Sequence, residues 1–123
     1  METLSIVLQV VIALGIVNVW LVRSGRSTPY RPEGATSLAE EFDRYGLPGW
    51  VRQSVGAAKL ALAAALVIGV FVTPIALPAA ALVALLMAAA IGAHVRVGDP
   101  WIKSMPASLM LAMSAGVAFI QTL

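Results

Sequence analysis

Lys59, His94, Arg96, Asp99 and Lys103 are the residues of this chain whose types and placement could do chemistry. Four of them crowd into His94-Val95-Arg96-Val97-Gly98-Asp99-Pro100-Trp101-Ile102-Lys103, and His94 is the sole histidine. An imidazole can ligate haem or a metal, or relay protons. A metal site needs three or four ligands. Only Asp99, with Glu40, Glu41 or Asp43, could join His94, so no metal is predicted. A hydrogen bond that closes a helix end is the better expectation for His94. Arg96 and Asp99 are expected to pair with each other or with helix termini. Gly98 permits a chain reversal, and Pro100 suits the start of a helix that Asp99 would cap. No catalytic constellation accompanies them. There is no Ser-His-Asp set in a recognisable setting, no phosphate-cradling glycine loop and no pair of intramembrane carboxylates. Cysteine is absent, which removes disulfides, thiolate nucleophiles and iron–sulfur ligation.

These side chains are positioned by elements of unusual composition. Hydrophobic residues make up 60% of the 123 and charged ones 11%, against about 45–50% and 25% in soluble domains. A single domain this small cannot hide that much apolar surface from water. The bilayer is therefore the expected solvent, and four helices are expected to span it, at about 4–22, 50–72, 75–95 and 102–122. The first, as a helix, is about 28 Å long and matches the hydrocarbon thickness. It has no basic residue before it and no small-residue cleavage site after it, so a retained span is expected rather than a signal peptide.

The polar connection at 23–48 separates the first two spans. Its first part, 23–34, is rich in turn formers and reads as irregular. Ser37-Leu38-Ala39-Glu40 then has capping-box spacing. Leu38, Phe42 and Tyr45 fall on one helical face, with Glu40, Asp43 and Arg44 opposite. A short amphipathic helix, stopped by Gly46 and Pro48, follows from that pattern. Lys59 lies nine residues past Trp50, about 13 Å along the helix axis and deep in the second span. A cation there costs at least about 2.5–3.5 kcal/mol on insertion scales. It must face the bundle and find a partner, lose its proton, or snorkel to the interface. The small residues of the later spans, such as Gly56, Ala57, Ala61, Ala64 and Ala65, then Ala80, Ala81, Ala84, Ala88 and Gly92, and Ala112, Ala115 and Gly116, suit close helix packing.

Topology follows from charge. Apart from Lys59, every basic residue (Arg23, Arg26, Arg31, Arg44, Arg52, Arg96, Lys103) falls on the side that holds the 23–48 connection and the turn between spans three and four. The positive-inside rule puts that side in the cytoplasm and both termini outside. The basic residues form no soluble patch, so nucleic acid is not an expected partner.

The segment Ser54-Val55-Gly56-Ala57-Ala58-Lys59-Leu60 and the His-x-x-x-Gly-Asp-Pro-x-x-Lys pattern from His94 to Lys103 together resemble the DoxX-like family of small four-helix membrane proteins. Asn18-Val19-Trp20 and Glu40-Glu41-Phe42-Asp43-Arg44-Tyr45-Gly46-Leu47-Pro48 fit as well. The likeness implies an all-α, four-helix transmembrane bundle with a short cytoplasmic amphipathic helix between helices 1 and 2, over one domain, in a bacterial inner membrane. Relatives have been linked to thiosulfate–quinone oxidoreduction as membrane subunits, to oxidative-stress complexes and, in an animal branch, to chaperoning of receptor assembly. At the position of Lys59 the wider superfamily often has Glu. Two functions are thus in view beside contact with membrane lipids. One is an accessory or assembly subunit that binds a larger membrane-protein partner, or itself as a homo-oligomer. The other is a quinone- or lipid-binding component of a membrane oxidoreductase system, with Lys59 facing a cavity and His94, Arg96 and Asp99 at its mouth; a quinone is the only cofactor this suggests. A transporter or channel ranks behind both, since four helices leave little room for a pore.

The topology is open to a direct check, because the chain brings no cysteine of its own. In intact cells an impermeant maleimide should label Thr73→Cys and should reach Ser27→Cys only after permeabilisation. Labelling in the opposite order would invert the orientation.

Overall fold

The computed structural model describes residues 2–22, 25 and 37–123. Apart from Gly25, the connection expected to be irregular at 23–34 lies outside the described residues, as do Arg23, Arg26 and Arg31. No strand occurs among the described residues, and four helices are long and apolar enough to cross a membrane. Helix α1 runs over Glu2–Val17 and continues as a wider π-helical turn at Asn18–Val22. Helix α2 covers Leu38–Arg44, α3 Gly49–Phe71, α4 Ala76–Arg96 and α5 Met105–Gln121. Short 3-10 turns, Thr73–Ile75 and Trp101–Ser104, lead into α4 and α5.

The four long helices pack as a ring: α1 on α3, α3 on α4, α4 on α5, and α5 back on α1. Ile12, Ile16, Leu66, Val83, Met87 and Val117 fill the interior. Between α3 and α4 the approach is close. A side chain at Gly69 would place its Cβ 3.0 Å from the Ala76 nitrogen, so glycine lets the two helix ends meet there.

Burial is sorted in the sense that a bilayer requires. Leu14, Phe71, Leu85 and Phe119 are exposed on the outside, while Ser5, Gln9, Lys59, His94 and Ser114 are buried within. An exterior this apolar has no place in water. The protein is an integral membrane protein. Trp50 and Trp101, 69% and 78% exposed, both stand at the end of the bundle that carries α2, where interfacial aromatics belong.

Two expectations are corrected. Of the small residues expected at helix interfaces, Gly56 and Ala80 are buried, but Ala57, Ala61, Ala64, Ala81, Ala88, Gly92, Ala112 and Ala115 are exposed on the outer faces. Where both sides of a helix are apolar, composition cannot tell the bundle side from the lipid side. Nor does Asp99 cap a helix. Pro100 precedes the Trp101–Ser104 turn and Ser104 precedes α5, neither with a side-chain cap.

The end of the bundle far from α2 is held by a buried polar cluster. Gln9 Nε2 donates to the Leu66 carbonyl at 2.9 Å, Ser5 Oγ donates to Gln9 Oε1 at 2.9 Å, and Gln121 Nε2 donates to Ser5 Oγ at 2.9 Å. Without water to compete, these bonds tie α1 to α3 and α5. Gln9→Leu should therefore lower stability by about 1 kcal/mol, measured as a reduced midpoint of unfolding in mixed micelles. An unchanged midpoint would show that apolar packing alone holds that end.

Candidate functional site

The polar chemistry of the bundle gathers at the other end, where α2 bridges α1, α3 and α4. The local sequence makes α2 as expected. The Ser37 hydroxyl accepts from the Glu40 amide at 3.2 Å, and the chain leaves the helix through Gly46 at φ 73°. This places Leu38 and Tyr45 inward, both buried, with Phe42 half-buried between them. An edge-to-face series of rings follows. Trp20 meets Phe42 at 5.8 Å, Phe42 meets Tyr45 at 6.1 Å, and Tyr45 meets His94 at 5.5 Å between centroids. The short helix is thus stitched to the π-helical turn of α1 and to the last turn of α4.

Behind these rings lies a cavity of about 520 Å³. Its walls are mostly apolar, with Ile16, Val19, Leu86, Met87 and Met110 among them. Asn18, Lys59, Glu41, Tyr45, His94 and Lys103 supply the polar groups.

Lys59 is 8% exposed. Its ammonium stands over the Trp20 ring, 5.1 Å from the centroid, and the Glu41 carboxylate bears on it electrostatically. A cation–π contact contributes about 0.5–2 kcal/mol depending on desolvation. Alone it falls short of the cost of a cation in hydrocarbon, so the Glu41 charge and the polar cavity wall share in keeping Lys59 there. Trp20 is set in place by its seat. A Cβ at Gly56 would stand 2.9 Å from two ring carbons of Trp20, so the indole lies directly on the α3 backbone where no side chain intervenes.

At the end of α4 the chain turns through Gly98 at φ 74°. The reversal brings Asp99 back onto the helix it has just left. Its amide donates to the His94 carbonyl at 3.0 Å, and its carboxyl group is hydrogen-bonded to His94 Nδ1 at 2.7 Å. His94 therefore does tie the helix end to the turn, but through Asp99. The expected pairing of Arg96 with Asp99 is not made in the structure; Arg96 is exposed and borders a separate hollow of about 220 Å³ with Tyr45 and Leu47. The Tyr45 hydroxyl lies 3.2 Å from each His94 ring nitrogen and donates to Glu41 Oε1 at 2.8 Å. The result is a polar series, Asp99–His94–Tyr45–Glu41, whose last member borders the same cavity as Lys59.

Of the residues singled out in the sequence, Lys59, His94 and Lys103 border one cavity, Asp99 holds His94 from behind, and Arg96 stands apart. Sequence reasoning missed Trp20, Glu41 and Tyr45 as members of the site. Glu41 had a signal, since it falls one turn before Tyr45 in a helix whose inward face was already assigned. Among the described residues no group of three or more His, Asp or Glu side chains is gathered to hold a metal ion.

The model of the DoxX-like family matches residues 7–117, a stretch that contains every residue of the site. The chain belongs to the DoxX-like family. No curated protein and no solved structure matches it significantly. In this DoxX-like protein the shared region therefore includes both the ring of four spans and α2, the element that closes the site.

The seat of Trp20 can be probed alone in a Trp50→Phe, Trp101→Phe background. Gly56→Ala should move the indole off α3, seen as a shifted emission maximum and a changed acrylamide quenching constant. Identical emission in both proteins would mean that Trp20 does not rest on Gly56.

Proposed function

We propose that this DoxX-like protein binds an amphipathic molecule of the bilayer, a quinone or a lipid, as the ligand-binding component of a membrane oxidoreductase system. The observation that carries this reading is a cavity with apolar walls and one buried cation, Lys59. Its volume falls within the about 300–1,000 Å³ common for small-molecule sites, and so does its mix of many apolar and few convergent polar groups. The fit to a ring with oxygen substituents is chemical. The Lys59 ammonium can donate to a carbonyl or headgroup oxygen, the Trp20 and Phe42 rings offer flat apolar contact, and the outer wall suits a hydrocarbon tail. The residues of the chain bind and orient; electrons would come from a separate protein. The bundle end that carries α2 faces the cytoplasm in this reading, as the charge distribution favours.

A second reading, an accessory or assembly subunit, draws on a different observation. Ala57, Ala61 and Ala64 on α3, and Ala81, Ala88 and Gly92 on α4, leave outer surfaces that are smooth and open to lipid. Such surfaces favour close approach of another helix, from a larger membrane protein or from a second copy. The two readings are compatible, because the cavity and these faces are distinct.

The test is extraction of the protein purified in mild detergent, with mass spectrometry of the apolar extract, followed by titration with decylubiquinone or a lysophospholipid. Saturable quenching of Trp20 emission is expected, weakened at least tenfold by Lys59→Leu, which equals about 1.4 kcal/mol. An empty extract and no saturable response to either probe would overturn the ligand reading. Recovery of a lone monomer under all gentle conditions would count against the subunit reading.

A further inference from the structure

We propose that Asp99, His94, Tyr45 and Glu41 form a proton-exchange line that joins the water at the α2 end of the bundle to the cavity at Lys59. The line rests on the ligand reading only for what receives the proton there.

The geometry gives the line its order. Asp99 and His94 are joined at 2.7 Å, and each side chain is at most 9% exposed. Because Asp99 holds Nδ1, the Nε2 nitrogen is the one left to the Tyr45 hydroxyl, which lies 3.2 Å from both, so the imidazole must turn for Nε2 to point at it. Tyr45 already directs its own proton to Glu41 at 2.8 Å. Glu41 borders the cavity together with Lys59, and its charge acts on that lysine. Of the other charged groups on the surrounding elements, Lys103 borders the cavity, Arg96 lies outside it, Glu40, Asp43 and Arg44 belong to α2, and Arg52 lies near the start of α3.

The transfer conserves protons and involves no oxidation. With Asp99 protonated and His94 in its Nε2–H tautomer, the Asp99 proton passes to Nδ1 as the Nε2 proton passes to the Tyr45 oxygen, and water returns a proton to Asp99. The Tyr45 hydroxyl proton passes to Glu41, and Glu41 yields one proton to an acceptor in the cavity. Only O–H and N–H bonds are made or broken, and one proton enters for each that leaves. Histidine suits such a relay because its two nitrogens can exchange a proton on opposite sides of one ring. A ligand served by this line would carry an oxygen or nitrogen that gains or loses a proton, which separates an acid, amine or quinol from an inert lipid.

The chain has two lysines, so each can be followed without ambiguity. In full-length protein labelled with 15N-lysine and held in lipid nanodiscs, the hydrogen exchange of the Lys59 ammonium is compared with that of Lys103. Tyr45→Phe keeps the ring contacts and removes only the hydroxyl. It should slow Lys59 exchange at least tenfold while Lys103 stays within twofold, and His94→Gln should do the same. Asp99→Asn serves as the milder variant should either of these fold poorly, with the Lys103 rate as the check on folding. Lys59 exchange equal to wild type in all folded variants would overturn the proposal, because cavity water would then carry the proton. Decylubiquinone titration of the same samples separates the two readings. Binding that persists in Tyr45→Phe with unchanged exchange sinks the line alone, while slowed exchange without any binding sinks the ligand reading alone.

Discussion

A buried cation in a bundle built for lipid is the constraint that organises the α2 end of this protein. Lys59 cannot be left to hydrocarbon. The structure meets the demand with an indole face at 5.1 Å, a carboxylate from α2 and a cavity with polar groups along one side. Each of these has its own requirement in turn. The indole needs a bare stretch of α3, found at Gly56. The carboxylate needs α2 held over the bundle, which the ring series from Trp20 to His94 provides.

The opposite end answers a simpler demand. Ser5, Gln9 and Gln121 satisfy one another and the Leu66 carbonyl, with no ionisable group among them. The two polar clusters differ in kind. One closes on itself and fastens three helices. The other is open toward a cavity and includes groups that can exchange protons. That difference, more than the presence of polar residues as such, separates the two ends of the bundle.

Much of the fold was legible in the sequence, because hydrophobic run length and turn chemistry are local. The four spans, the Ser37 cap, the stop at Gly46 and the reversal at Gly98 all rest on residues close in the chain. Lys59 was legible as an anomaly by its depth alone. What joins it to His94 was not. Tyr45 and His94 are 49 positions apart, and in the sequence Tyr45 reads as one more member of an apolar stripe. Asp99 was misread as a cap because a carboxylate before a proline suits that role; only the path of the turn shows that it folds back on His94. The outward alanines were misread for a different reason. In a membrane protein both environments of a helix are apolar, so periodicity loses the contrast that it relies on in water.

Gly46 and Gly98, at φ 73° and 74°, follow Tyr45 and precede Asp99. They are the joints of the polar series, although neither contributes an atom to it. An L-residue at either joint would meet a penalty of roughly 1–2 kcal/mol for the left-handed backbone, next to Tyr45 in one case and Asp99 in the other. The alignment of this polar series thus depends on two residues that have no side chain. A change at either joint would act on the polar series while leaving all four spans in place.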